Sequence, residues 1–228
     1  MKLVGFGCSF TYGSELIDPK LDGVWDDTSE SYVWDRHYKN EKYRQSHCWL
    51  GLLAKRFDCE YDNLAQPANS NMAIAQQVAN YFLNTRNPSE PIVICIAWTE
   101  RTRFSWYDEQ WTHNGFVEKD WSGSCKEWVV KSTNNSHDMW TNNAKLMVNG
   151  VCKAHDVPIL QFNALGRHSV SKYDNYFVNG SSMDSVLKRA EHEDDRLNLF
   201  ASGGHPNEVG HEYFTKRLHL FAKERIIL

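Results

Sequence analysis

Two short segments near opposite ends of the chain carry residues that can perform acyl-transfer chemistry. The first, Gly5-Phe-Gly-Cys-Ser-Phe-Thr-Tyr-Gly13, follows an apolar run at the N-terminus and contains Ser9. A serine hydroxyl is a poor nucleophile near neutral pH unless a neighbouring base accepts its proton. The second, Gly204-His-Pro-Asn-Glu-Val-Gly-His211, contains His205, whose imidazole can be that base. Together they predict nucleophilic catalysis by Ser9 with His205 as general base.

The Gly-x-Gly in the first segment has two other interpretations, and both fail on spacing. A dinucleotide-binding turn needs a third glycine where Phe10 stands, and no acidic ribose ligand follows a clear second strand. The Gly-x-Ser-x-Gly elbow of the α/β-hydrolases needs a glycine where Thr11 stands. We therefore predict no nucleotide and no other cofactor.

The first segment resembles instead the Gly-x-Ser-x-Thr-x-Gly block of the SGNH (GDSL-like) hydrolases, in which the serine is the nucleophile. This resemblance runs along the chain in order, from Ser9 to the last helix. It implies a serine ester hydrolase with a three-layer α/β/α sandwich and a mostly parallel, flavodoxin-like central sheet. The second segment resembles the closing block, Asp-x-x-His-Pro-Asn-x-x-Gly-His, in His205, Pro206, Asn207, Gly210 and His211.

The closing block departs from the family at its acid, because Ser202 stands three residues before His205. In a Ser-His-Asp triad the acid orients the imidazole and stabilises its charged form. Some members of the family work as Ser-His dyads, with a backbone carbonyl holding the histidine, and we favour a dyad here. The alternatives are that Ser202, Asp194, Asp195 or Glu208 takes the role of the acid.

The two middle blocks of the family are weaker here. Asn63-Leu-Ala-Gln-Pro-Ala-Asn-Ser-Asn71 resembles the second block, with Ala68 in place of the glycine that donates to the oxyanion hole; this exchange is tolerable if the turn needs no positive φ. The third block supplies an asparagine donor, which Trp98-Thr-Glu-Arg101 lacks. Losing one such donor costs about 10²–10³-fold in rate. We predict an oxyanion hole formed by Ser9, Ala68 and Thr99, with Arg101 or Arg103 as alternative donors.

Strands and helices of ordinary length alternate along the chain, which argues for βαβ units and a parallel sheet. Ligands bind beyond the carboxyl ends of strands in such sheets, and the candidate residues fall there. Predicted strands are Lys2–Phe6, Glu60–Leu64, Pro91–Trp98 and Val157–Asn163. Four helices are predicted. The first spans residues 46–57 with Ser46 as its N-cap, and the second begins at residues 69–71 and ends before Asn87. The third and fourth are Met139–His155 and Asn207–Lys223.

We expect one α/β domain over residues 1–228, with insertions at about 17–45 and 100–137. Five of the nine tryptophans lie between Trp98 and Trp128, so the second insertion is either a sugar-stacking wall beside the site or a small core of its own. We expect removal of a small acyl, acetyl-like group from a carbohydrate-like or small-molecule ester. The alternative is a catalytically inactive SGNH fold that binds glycan or protein. Candidate substrate-binding residues are Trp98, Arg101, Arg103 and Asn71.

Bulk properties restrict partners and location. A net charge of −4 provides no basic stripe for nucleic acid, and no window has the apolar length to span a bilayer. The six cysteines are scattered without metal-ligand spacing, which predicts buried free thiols and no metal. We expect a cytoplasmic protein with no membrane or nucleic-acid partner, and the sequence leaves its oligomeric state open.

Overall fold

The computed structural model describes residues 1–21, 38–108, 110–114, 134–166 and 181–225, the strands at 104–108 and 110–114 by their backbone only. Its centre is a four-stranded parallel sheet in the order β2-β1-β3-β6. A separate antiparallel hairpin follows β3 in the chain. The strands are β1 (Lys2–Gly7), β2 (Glu60–Asn63), β3 (Ile92–Trp98), β4 (Phe104–Asp108), β5 (Gln110–Asn114) and β6 (Ile159–Asn163).

The central strands are buried on both faces, and their carboxyl ends lie at one edge. Every residue of β3 is buried, as expected for an apolar, β-branched run in a parallel sheet. Gly7 of β1 pairs with Ala97 of β3, and Trp98 pairs with Asn163 at the end of β6. The segments after these three strands therefore emerge at the same edge of the sheet.

Helices cover both faces of the sheet, which confirms the predicted three-layer α/β fold. One core packs Leu3 and Cys95 against α3 (Trp49–Phe57), α6 (Met183–Glu193) and α7 (Glu208–Arg225), and the other packs Val4 and Ile94 against α4 (Asn71–Asn84) and α5 (Asn134–Ala154). The helices are α1 (Ser9–Tyr12), α2 (Tyr38–His47), α3 (Trp49–Phe57), α4 (Asn71–Asn84), α5 (Asn134–Ala154), α6 (Met183–Glu193) and α7 (Glu208–Arg225), with a 3-10 turn at Pro19–Leu21.

The segment predicted as an insertion at about 17–45 contains a helix that the sequence did not predict, and the predicted N-cap of α3 is wrong. This helix is α2, whose buried residues are Asn40 and Arg44, so no apolar stripe marks it in the sequence. Ser46 lies within α2, and Cys48 precedes α3 as its N-cap. Helix α6 is absent from the predicted elements, although Ser182 and Ser185 form a capping box at its start.

The cysteines of the described region are free thiols, as predicted; they are buried except for the half-buried Cys59, and Cys125 lies outside that region. Burial raises the pKa of Cys152 to about 12, so this thiol stays protonated and inert. No helix within the described ranges has the length and apolar character to cross a membrane. In the same ranges, no group of three or more His, Cys, Asp or Glu side chains is placed to hold a metal ion.

Candidate active site

Ser9 begins α1, directly beyond the carboxyl end of β1. The extended backbone of Cys8 turns the chain from the strand into this helix. Gly7 is needed beneath the turn, because a Cβ there would lie 2.2 Å from Oγ1 of Thr11. Ser9 is only 5% exposed. Its backbone N–H belongs to the first helical turn, where such groups lack an intrahelical acceptor and are available to a ligand.

His205 reaches this edge from the other end of the chain, on the loop before α7. Asn207 fixes that loop, since its Oδ1 accepts the N–H of Gly210 at 2.9 Å and caps the helix. The imidazole packs beside Phe10, with ring centroids 5.6 Å apart. Because Phe10 directly follows Ser9, this contact brings the predicted base beside the segment of the predicted nucleophile.

A carboxylate that the sequence analysis missed contacts the imidazole. Nδ1 of His205 lies 2.7 Å from Oε2 of Glu15. The same carboxylate accepts the backbone N–H groups of Gly203, at 2.7 Å, and of His205, at 3.0 Å. The loop before α7 is thus folded around Glu15. The only sequence signal is an acidic residue two positions beyond the glycine that closes the first block, outside every family block.

The four side chains considered as alternative acids are engaged elsewhere or exposed. Asp194 pairs with the guanidinium of Arg196, and Glu208 accepts a hydrogen bond from the Tyr43 hydroxyl. Ser202 and Asp195 are exposed. None of these contacts involves the imidazole of His205.

Helix α2 holds the backbone on both sides of Glu15. Nη1 of Arg44 donates to the carbonyl of Tyr12. Nδ2 of Asn40 donates to the carbonyl of Leu16 at 2.7 Å, and Oδ1 of Asn40 accepts the N–H of Asp18 at 2.9 Å. The buried polar residues of α2 therefore fix the segment that carries Glu15.

Ala68 lies in a loop attached to the end of β1, but its backbone differs from the expectation. Nδ2 of Asn69 donates to the carbonyl of Gly7 at 3.0 Å and to Oε1 of Gln77 at 2.9 Å, which anchors the loop near Ser9. Ala68 has φ 63, so the turn does need a positive φ, and the condition for tolerating the exchange from glycine is not met. An alanine in this left-handed conformation costs about 1–2 kcal/mol.

The side chain of Asn71 is hydrogen-bonded to the backbone of Thr99 at the end of β3. Oδ1 of Asn71 accepts the N–H of Thr99 at 2.9 Å, and Nδ2 of Asn71 donates to the carbonyl of Thr99 and to Oγ1 of Thr141. The amide of Asn71 thus holds the strand end, and its role in substrate binding stays a prediction. The hydroxyl of Thr99 is buried and has no hydrogen-bond partner in the described part of the chain.

Trp98, which the sequence predicts as a substrate-binding residue, lies at the buried end of β3. Its side chain is fully buried in the core, and Nε1 donates to Oε1 of Gln161 at 3.0 Å. Nη1 of Arg101 contacts both carboxylate oxygens of Asp138, at 2.9 and 3.0 Å. Nη1 of Arg103 is buried and has no hydrogen-bond partner within the described ranges. Trp106 and Trp111 are described by backbone only, and Trp121 and Trp128 lie outside the described residues.

His211 is the second imidazole of the closing block, and it holds two helices together. Its Nδ1 accepts the backbone N–H of Trp49 at 3.1 Å, which joins α7 to the start of α3. Burial, and next the nearby charge of His205, lower the pKa of His211 to about 3. The ring is therefore neutral near pH 7 and serves as a structural acceptor.

No family model matches the chain, and no curated protein matches its sequence. Its backbone is similar to that of a carbohydrate esterase whose active site displays divergent catalytic and non-catalytic binding functions (TM-score 0.55, 13% identity, covering 99% of this chain and 65% of that one). It is also similar to the acetyl xylan esterase Est2A of the rumen bacterium Butyrivibrio proteoclasticus (TM-score 0.55, 12% identity, 99% and 64%). The chain therefore shares the α/β fold of these esterases.

A third structure with a similar fold is a family two carbohydrate esterase from Clostridium thermocellum in complex with cellohexaose. It has a TM-score of 0.50 and 12% identity, and the match covers 99% of this chain and 64% of that one. The present chain thus spans less than two thirds of the length of these three esterases.

Proposed function

We propose that the chain is a serine ester hydrolase that removes a small, acetyl-like acyl group from a carbohydrate-like or small-molecule ester. The observation that carries this proposal is the meeting of the two chemical segments at the carboxyl edge of the sheet. Ser9 starts the helix after β1, and the ring of the adjacent Phe10 packs against the ring of His205. The likeness of the fold to carbohydrate esterases supports it.

The reaction has two halves. Oγ of Ser9 attacks the ester carbonyl carbon while Nε2 of His205 takes its proton, because Nδ1 is occupied by Glu15. The tetrahedral intermediate then expels the alcohol, which leaves with the proton from Nε2. A water molecule gives a proton to Nε2 and attacks the acyl carbon, and the intermediate releases the carboxylic acid as Oγ recovers its proton.

The negative charge of each tetrahedral intermediate needs donors that are already in place. We assign this role to the backbone N–H groups of Ser9, at the start of α1, and of Ala68, in the loop that Asn69 ties to the end of β1. The hydroxyl of Thr99 is our third donor, since no partner in the described residues takes it. Arranged donors of this kind each contribute about 10²–10³-fold to the rate.

The carbohydrate part of the proposal has two supports. The aromatic residues between 100 and 137 follow the third strand, whose end lies at the same edge as Ser9. The folds that resemble this chain belong to carbohydrate esterases, one of which was solved with cellohexaose. Aromatic rings stack well on flat, apolar faces of a ligand.

Hydrolysis of a short-chain aryl ester by the wild type and by Ser9→Ala tests the function. We expect kcat to fall by at least about 10³-fold in Ser9→Ala, because removal of the nucleophile leaves only the oxyanion hole and binding. Ser89→Ala is the matched control, because Ser89 is exposed and its hydroxyl donates to Oδ1 of the nearby Asn87. Wild-type turnover equal to that of Ser9→Ala would refute the proposal and leave the inactive glycan- or protein-binding module.

A further inference from the structure

We propose that Glu15 is the orienting carboxylate of His205, in place of an acid three residues before the histidine. This inference rests on the proposed function, because orientation of the imidazole matters only if His205 acts as the base for Ser9. Glu15 would act through His205 and not on the substrate, so it is a positioning residue. It would make the site a Ser-His-Glu triad instead of the dyad that the sequence favours.

The hydrogen bonds of the carboxylate define which ring nitrogen can act. Oε2 of Glu15, 2.7 Å from Nδ1 of His205, has no proton of its own to give when ionised, so it accepts the Nδ1–H. The lone pair of the neutral ring then lies on Nε2. An adjacent anion also stabilises the imidazolium that forms when Nε2 takes the serine proton, as the acid of a Ser-His-Asp triad does.

The loop before α7 is built to fit this carboxylate. The side chain of Glu15 is 14% exposed, against 28% for that of His205, so the contact is largely removed from water. The N–H groups of Gly203 and His205 both point to the carboxylate. A Cβ on Gly203 would lie 2.4 Å from Oε1 of Glu15, so only glycine fits there without displacement.

The backbone of Glu15 is strained, which points to a use for its side chain. Its φ is 67, a left-handed conformation that costs a non-glycine residue about 1–3 kcal/mol. Asn40 and Arg44 hold the chain on both sides of it through the carbonyls of Leu16 and Tyr12. Residues kept in such conformations by their surroundings are concentrated at functional sites.

This arrangement places the nucleophile and the orienting acid in one segment. Glu15 lies six residues after Ser9, and the base alone comes from the far end of the chain. The acid of the family pattern precedes the histidine, on the histidine's own loop. With the acid moved, the position of Ser202 no longer needs a carboxylate, and Ser202 is exposed.

The test compares Glu15→Gln with Glu208→Gln on a short-chain aryl ester. Glutamine keeps the size and an oxygen acceptor for Gly203 but loses the negative charge opposite the imidazole. We expect kcat to fall by about 10²–10⁴-fold with KM changed less than about threefold, the pattern of lost transition-state stabilisation. Glu208 is an exposed carboxylate three residues after His205, so Glu208→Gln should stay within about threefold of wild type.

A proton NMR measurement separates orientation from mere loop support. The Nδ1–H of an imidazole bonded to a carboxylate gives a low-field resonance, which should be present in wild type and Glu208→Gln and absent in Glu15→Gln. If Glu15→Gln does not fold, Glu15→Asp replaces it. Its side chain is one methylene shorter, so we expect the resonance to shift and kcat to fall. A folded Glu15→Gln with wild-type kcat, an unchanged resonance, or a Glu15→Asp with wild-type kcat would overturn the inference.

The same experiment distinguishes this inference from the proposed function. Ester turnover that depends on Ser9 but not on Glu15 would refute the role of Glu15 and leave the esterase intact. Absence of Ser9-dependent turnover in the wild type would refute the esterase, and with it any catalytic role of Glu15, even where the resonance shows the contact.

Discussion

Oε2 of Glu15 lies 2.7 Å from Nδ1 of His205, although 190 positions separate the two residues. The imidazole is thus held on one side by this carboxylate and packs on another side against Phe10. Both neighbours belong to the segment that begins with Ser9. The position of the base relative to the nucleophile therefore depends on contacts made within a few residues of the nucleophile itself.

Gly203→Ala should lower the activity by displacing Glu15. A Cβ at this position would lie 2.4–2.7 Å from the carboxylate atoms of Glu15, which must shift from the position in which they meet His205. We expect kcat for an aryl ester to fall by at least about 10-fold, because a small misplacement of a positioning group is costly. Kinetics at saturating substrate measure this effect.

Gly150→Ala is the matched control for that substitution. Gly150 lies within α5, and a Cβ there meets nothing within 4 Å. Alanine should raise the free energy of unfolding by about 0.5–1 kcal/mol and leave kcat unchanged. Equal kcat values in Gly203→Ala and Gly150→Ala would contradict the packing of Gly203 on Glu15.

Ala68→Gly should stabilise the protein. The left-handed backbone of Ala68 costs about 1–2 kcal/mol, while glycine loses about 0.5–1 kcal/mol of chain entropy, so the net gain is up to about 1.5 kcal/mol. Urea unfolding measures the difference. Ala201→Gly, in a loop without positive φ at that residue, should instead destabilise by about 0.5–1 kcal/mol. A loss of stability in Ala68→Gly would show that the turn does not need a positive φ.

His211 makes the free energy of unfolding fall as the pH is lowered below 6.5. Its folded pKa of about 3 lies below the ordinary value of 6.5, so between these values the unfolded chain binds a proton that the folded chain does not. The contribution of His211 is complete above pH 6.5 and is lost as the pH falls toward 3, at up to about 1.4 kcal/mol per pH unit.

His211→Asn tests this linkage. Asparagine keeps an acceptor for the N–H of Trp49 but has no proton to bind, so the variant should be less stable at about pH 7.5 yet lose less stability on acidification. Denaturant titrations at several pH values between about 7.5 and 4 give the two slopes. If the free energy of unfolding depends on pH equally in wild type and variant, His211 takes up its proton in the folded state as readily as in the unfolded chain.

The sequence predicted correctly those features of the fold that depend on a few consecutive residues. The apolar run of β3 predicts a buried parallel strand, and the apolar run Lys2–Phe6 predicts the strand that ends shortly before Ser9. The sequence did not predict helix α2, because the side chains that this helix buries, Asn40 and Arg44, are polar and leave no apolar periodicity. Its boundary could not follow from residue type alone.

The features that escaped prediction at the site depend on distant contacts or on backbone angles. Glu15 is one acidic residue among many until the loop with Gly203 folds around it. The positive φ of Ala68 follows from the closure of its turn, which residue type does not show. Trp98 follows the strand pattern of β3 into the core, where its indole meets Gln161, although its neighbourhood is rich in aromatic residues.

Covalent labelling by a fluorophosphonate tests the esterase proposal most directly, because the probe needs an activated serine and no knowledge of the natural ester. The full chain is treated with the probe, and the modified residue is located by peptide mass spectrometry. We expect one adduct, on Ser9, that is absent in Ser9→Ala and forms far more slowly in His205→Ala. No labelling of the wild type, or an adduct on another serine at the same rate in Ser9→Ala, would contradict a serine esterase centred on Ser9.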